Sequence, residues 1–207
     1  MTLEKLLIKK KMSQKEFRLQ KEIRDYDKYF KIDSVVIDEL EDGKFTTSYT
    51  RYKLSRPDAV ALLVFNKDTN KVILVKQFRY PIANRESENI LEVVAGKIDG
   101  DESPKTAAVR ELEEEIGYSI KEERLSNSLE MFASPGYSTE KIHIFLAIVE
   151  NSDKTSNGGG VAGEHENIEI VEIDLNEFML KIRSNEIKDA KTIIASTLIK
   201  LWNYRLK

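Results

Sequence analysis

The chain has 207 residues, of which 41% are hydrophobic and 33% charged, with 33 basic and 36 acidic residues and no cysteine. That composition excludes a mainly disordered chain, leaves room for one substantial core plus an appendage, and excludes disulfides, thiolate chemistry and cysteine metal sites. With only His143 and His165 available, a metal would have to sit largely on oxygen.

No run approaches 18 consecutive apolar residues, and the lysine-broken start is no signal peptide, so a cytoplasmic location without membrane contact is expected. Residues 1–31 carry ten Lys or Arg against five Asp or Glu. This is read as a solvated charged face, and nucleic acid is not expected as a partner. Residues 1–33 are predicted to be a charged helix or arm, because the stretch from Glu4 to Phe30 lacks Gly and Pro.

From Ser34 the pattern changes. VVIDEL and FTTSYTRYKL bracket Glu41-Asp42-Gly43-Lys44 and predict a hairpin within residues 34–57. Ala59–Phe65 and Lys71–Gln77 predict a second hairpin around NKDTN. Further strands are predicted at Ile90–Val94, Ser128–Ala133, Ile142–Val149 and Ile168–Ile173, and helices at Ser103–Ile116, Leu175–Arg183 and Ala190–Tyr204. Strands with interspersed helices and no repeating βαβ unit point to an α+β class. The loop from Asn151 to Gly163, with Gly158-Gly159-Gly160, is by composition the most flexible segment.

The helix starting at Ser103 carries the chemistry. Ser103 suits its cap, Pro104 its first turn and Gly117 its end. Glu111, Glu114 and Glu115 fall on one side within a turn, a repulsive arrangement unless a cation sits among them. VVAGKIDGDE just upstream is a loop composition able to bring a backbone carbonyl near that face.

Gly96, Glu102, Arg110, Glu111, Leu112, Glu114, Glu115, Gly117 and Tyr118 together follow the pattern G-x5-E-x7-R-E-U-x-E-E-x-G-U, where U is bulky and apolar. This resembles the Nudix hydrolase family, with Tyr118 a soft departure at a position that is usually aliphatic. QFRYP, EVVAG, FASPGYSTE, the glycine run with EHENIE, and NEIKDAKT resemble its nucleoside-diphosphate-sugar branch of ADP-ribose and GDP-mannose pyrophosphatases.

The resemblance implies an α/β/α sandwich with a mixed sheet over residues 58–207. It also implies Mg²⁺-dependent hydrolysis of a sugar nucleotide, with Mn²⁺ as a possible substitute. It assigns Glu111, Glu114, Glu115 and the carbonyl of Ala95 to the metal, and Gly96, Glu102, Arg110 and Gly117 to structural support. A general base is needed outside the helix, since metal-bound carboxylates are poor proton acceptors. Glu164 is favoured for that role, with Glu166 as an auxiliary ligand. Arg56 and Arg79 match positions that grip phosphate or sugar, Glu92 and Glu140 positions that contact substrate or metal, and Ser134-Pro135-Gly136 a substrate loop. His143 reads as a packed strand residue, and His165 as an exposed loop histidine between the candidate acids.

The branch further implies a homodimer with exchanged amino-terminal strands, a role open to Ser34–Leu54. The alternatives are a Nudix-fold sensor that binds ADP-ribose or a related nucleotide without cleaving it, and RNA or nucleotide-triphosphate housecleaning.

Overall fold

The structure, a computed structural model, describes residues 15–85, 89–161 and 167–205. The described residues form two units, those within 1–57 and 132–140, and those within 58–131 and 141–207.

In the first unit, β1 (Lys15–Leu19), β2 (Ile23–Asp27), β3 (Lys31–Glu41) and β4 (Lys44–Ser55) form one antiparallel sheet. β4 pairs along the whole of β3, so β1 and β2 share the other edge of β3, at Ile37–Glu41 and Lys31–Ser34 respectively. The β3–β4 turn has positive φ at Asp42 and Gly43, the Asp-Gly geometry that matches strand twist.

Of the helix or arm expected over residues 1–33, the helix is corrected across the described part, which is strands β1, β2 and the start of β3 joined by short connections, and β3 runs across the expected boundary at residue 33. Pairing with β3 decides this. Asp33, buried in β3, is held by Arg24 of β2 and Lys53 of β4, and hydrogen bonds from these cations keep its carboxyl below the usual range. Residues 1–14 lie outside the described residues.

In the second unit, β5 (Ala59–Asn66) is the central strand. Along one edge it pairs in parallel with β10 (Lys141–Val149), beyond which lies β9 (Leu129–Phe132). The other edge is shared. Val64–Asn66 pair with β6 (Lys71–Phe78), and Ala59–Leu62 pair with β8 (Val94–Lys97). β7 (Asn89–Glu92) continues along β6, whose far edge takes β11 (Glu169–Asp174). The single strand expected at Ile90–Val94 is therefore two, broken at Val93, because β5 and β6 diverge and the chain changes partner between them.

Alternate residues of β5 face opposite layers. Val60, Leu62 and Val64 pack with Ala108, Leu112 and Ile116 of α1 (Pro104–Ile116). Ala61, Leu63 and Phe65 pack in the other core with Phe178 of α2 (Leu175–Arg183) and with Ala195 and Ile199 of α3 (Ala190–Arg205). Burial on both faces explains the unbroken apolar runs of β5 and β6. The result is the α/β/α sandwich with a mixed sheet. Among the described residues no helix is long and apolar enough to cross a membrane.

The loop after β10 is fastened by Asp153, which accepts two hydrogen bonds from Arg124, at 2.6 and 2.8 Å, and one from the Glu150 amide at 2.7 Å. Arg124 foremost, then that amide, hold the Asp153 carboxyl below its usual range. A depressed folded value contributes stability above the unfolded pKa of about 4, and this stability is lost as pH falls through the folded value. Asp153→Asn is therefore expected to destabilise the fold by about 1–3 kcal/mol at neutral pH. In urea titrations, its deficit relative to wild type should shrink progressively below about pH 4.

Candidate active site

Helix α1 is fixed at both ends as its sequence predicts. Ser103 Oγ accepts from the Thr106 amide at 3.1 Å, Pro104 occupies the first turn, and Gly117 closes the helix at φ +75° with its amide on Glu113 O at 3.0 Å. Glu115 faces inward and is only 2% exposed. Glu111 lies over β8, so close to Gly96 that a Cβ built there would overlap its carboxylate. Ala95, whose carbonyl is expected at the metal, is the preceding residue of the same strand.

Arg110 fans across this region. It donates to Glu102 Oε1 at 2.8 Å, Lys97 O at 3.0 Å, Glu111 Oε1 at 2.8 Å and Glu114 Oε2 at 2.9 Å. Glu102 also accepts from the Asp99 amide, tying the loop back on itself. Its carboxyl is held below the usual range, chiefly by Arg110, and the Arg110 guanidinium is pushed up by the surrounding carboxylates, with Glu102 foremost.

The expectation that only an added cation relieves the crowded carboxylates is thus corrected. The chain supplies its own, and Arg110 neutralises two of the three. Among the described residues no three Asp, Glu or His side chains converge closely enough to form a ready metal site. The donor set still fits a hard divalent cation. Its side-chain donors are carboxylate oxygens, one of them deeply buried, and the missing side chain of Gly96 lets the Glu111 carboxylate lie directly against the backbone of β8.

Glu164, His165 and Glu166 lie outside the described residues, but the glycines before them are placed. Gly159 N donates to Glu115 O at 2.8 Å and Gly160 N to Glu114 O at 3.0 Å, while Gly117 O accepts from Thr155 N at 2.8 Å. The described part of the segment expected to be most flexible is instead docked on the end of α1, satisfying carbonyls that a helix terminus leaves open. Gly158, at φ +61°, passes so near that a Cβ would stand 2.5 Å from Glu115 O. Gly158→Ala is expected to lower stability by about 2–3 kcal/mol, since both the left-handed backbone and a backbone clash oppose the methyl group. Chemical denaturation would measure it.

The four expected substrate residues form two ion pairs. In the second unit Arg79 donates to both Glu92 oxygens, at 3.1 and 2.7 Å. Lys191, which sequence reasoning missed although NEIKDAKT contains it, stands 3.6 Å from Glu92 Oε2. In the first unit Arg56 Nε lies 3.2 Å from Glu140 Oε1. There Ser134–Pro135–Gly136 form a turn closed by Tyr137 N and Ser138 N on Ser134 O. His143 is buried in β10 with Nδ1 3.4 Å from Glu130, a packed strand residue as expected.

The family model described as the NUDIX domain matches residues 55–193, more than half of the chain. The chain belongs to the Nudix family. The soft departure from the Nudix pattern, Tyr118, is buried in the α1-side core, where its hydroxyl meets Asn66 Nδ2 at 3.4 Å and burial raises its pKa. A ring fills the aliphatic position.

This Nudix chain is 33% identical over 170 residues to the GDP-mannose pyrophosphatase of Citrobacter koseri, covering 81% of the chain and 86% of that protein. It is 34% identical, with the same coverage, to the GDP-mannose pyrophosphatase of Salmonella arizonae. A solved structure described as an ADP compounds hydrolase superposes with a TM-score of 0.70 at 20% identity, over 93% of this chain and 96% of that one, which shows the Nudix fold.

Proposed function

We propose that this Nudix enzyme hydrolyses the pyrophosphate bond of a nucleoside diphosphate sugar, GDP-mannose or ADP-ribose, to a nucleoside monophosphate and a sugar phosphate. The observation that carries the reading is the α1 face, where Glu111, Glu114 and Glu115 of the Nudix pattern are all present and Glu111 is seated on the bare backbone of Gly96. A sensor that only binds would not need them. The names of the curated relatives support the substrate class.

Glu111, Glu114, Glu115 and the Ala95 carbonyl would hold Mg²⁺, with Mn²⁺ as its substitute. When bound, the ion supplies neutralisation of the diphosphate charge and a lowered pKa for water. The chain's own residues do the rest. Arg110 keeps Glu111 and Glu114 close to one guanidinium, so releasing them to a cation requires only a local shift while Glu102 and Lys97 O retain the arginine. Arg79 and Arg56 present planar forks suited to phosphate or sugar oxygens, oriented by Glu92 and Glu140. Glu164 takes the proton of the attacking water, with Glu166 as an auxiliary ligand.

A homodimer is part of the same reading. The described part of the first unit is strand and loop without a helix, and it exposes Ile23, Tyr26, Tyr29, Phe45 and Tyr52, an apolar display suited to a second copy. A monomeric mass in light scattering would remove it.

The test is incubation with GDP-mannose, ADP-ribose, UDP-glucose and diadenosine polyphosphates in ¹⁸O-water with Mg²⁺, followed by mass analysis of both products. Turnover of GDP-mannose or ADP-ribose with one ¹⁸O in one phosphate product is expected. No turnover of either overturns the proposal.

A further inference from the structure

A buried polar relay joins the start of α3 to the break between β7 and β8. On one side of Val93, Glu92 pairs with Val75 of β6, and on the other Val94 pairs with Leu62 of β5. The Val93 amide donates to Thr192 Oγ1 at 2.9 Å, and Thr192 is fully buried. An amide can only donate, so the hydroxyl accepts there and gives its own proton to Asp189 Oδ2, 2.7 Å away. Asp189 also accepts from the Thr192 amide at 2.9 Å and holds Lys191 Nζ at 2.7 Å. Lys191 in turn faces Glu92, the partner of Arg79. A short stretch of α3 therefore grips the chain at the point where it changes partner strand.

We propose that Thr192 is a positioning residue for the active site. By holding the Val93 amide it sets the angle between β7 and β8. It thereby places Glu92 with Arg79 on one side, and Ala95 with the Gly96 seat of Glu111 on the other. The Arg79–Glu92 pair of the expected substrate grip and the expected metal face are both attached to this one pivot. A valine has the shape of threonine but no acceptor for the amide, whereas serine keeps the hydroxyl. The kinetic consequence rests on the hydrolase reading above, and the structural one does not.

The test compares full-length wild type, Thr192→Val and Thr192→Ser by steady-state kinetics on GDP-mannose and ADP-ribose with Mg²⁺, and by amide hydrogen exchange. In Thr192→Val, kcat is expected to fall by about 10–100-fold, because small misplacements of a site are costly, while Thr192→Ser stays within about threefold of wild type. Exchange across residues 89–97 should quicken by about tenfold or more in the valine variant alone.

Wild-type kinetics and exchange in Thr192→Val overturn the proposal, as does a serine variant that falls as far as the valine one. If Thr192→Val does not fold, the wild-type Val93 amide decides. Protection like that of β5 amides supports the relay, and exchange at loop rates overturns it. A wild type that cleaves no sugar nucleotide overturns the proposed function, while the exchange measurement still decides the relay.

Discussion

Glu115→Gln is expected to lower kcat for sugar-nucleotide hydrolysis by about 10³-fold, while the protein folds as well as wild type or better. Glu115 is 2% exposed, on the side of α1 that lies against the sheet. Burying an ionised carboxylate is costly, and selection for stability alone would favour a neutral side chain of the same size. Glutamine supplies that side chain. It also removes an anionic oxygen suited to a hard cation, and losing several kcal/mol of transition-state stabilisation corresponds to about three decades in rate. Opposite signs for activity and stability would mark Glu115 as kept for chemistry. Product release and the thermal midpoint, measured on the same preparation, check both halves. A variant retaining a tenth or more of wild-type turnover would sink the catalytic assignment. Nucleotide binding that persists without turnover in the wild type itself would instead favour the sensor.

How much of this was legible in the sequence depends on how local each determinant is. Helix α1 was readable to within a residue because its limits are set by Ser103, Pro104 and Gly117, which act on their immediate neighbours. β5 and β6 were readable because strands buried on both faces must be apolar throughout. β1 and β2 were not. KEFRL and IRDYD are largely exposed and charged, so neither carries an apolar period, and only pairing with β3, up to 26 residues away in register, makes them strands. The break at Val93 was hidden for a related reason, since it arises from the divergence of β5 and β6 and the acceptor on Thr192, not from any breaker residue in ILEVVAG.

At the site, the identity of the carboxylates was legible and their electrostatics was not. Helical spacing brings Glu111, Glu114 and Glu115 together, but spacing alone does not show that Arg110 turns back to hold two of them. Composition likewise reads three glycines as freedom. In the fold the same lack of side chains lets Gly158, Gly159 and Gly160 approach the carbonyls of Glu114 and Glu115. That docking brings Gly158, Gly159 and Gly160 to the end of the carboxylate helix, an arrangement no local rule contains.

Gly96→Ala separates seat from scaffold. Gly96 lies in extended β8 with no positive φ, so alanine adopts its backbone without strain, and the obstacle is the added methyl group alone. What that methyl would strike is the far end of the Glu111 side chain, which can swing aside, in contrast to Gly158, where it would strike backbone. Stability is therefore expected to change by less than about 1 kcal/mol, the range of a displaced, partly exposed ion pair. Activity should not be spared. A carboxylate pushed off its seat can no longer meet a cation beside the Ala95 carbonyl, and a displacement of about 1 Å in such a group costs about 10²-fold in rate. Kinetics and urea denaturation on Gly96→Ala and Gly158→Ala should thus diverge, with the first losing rate at nearly constant stability and the second losing stability outright. If Gly96→Ala hydrolyses sugar nucleotides at the wild-type rate, Glu111 need not rest on β8 to act, and the metal face must be assembled elsewhere.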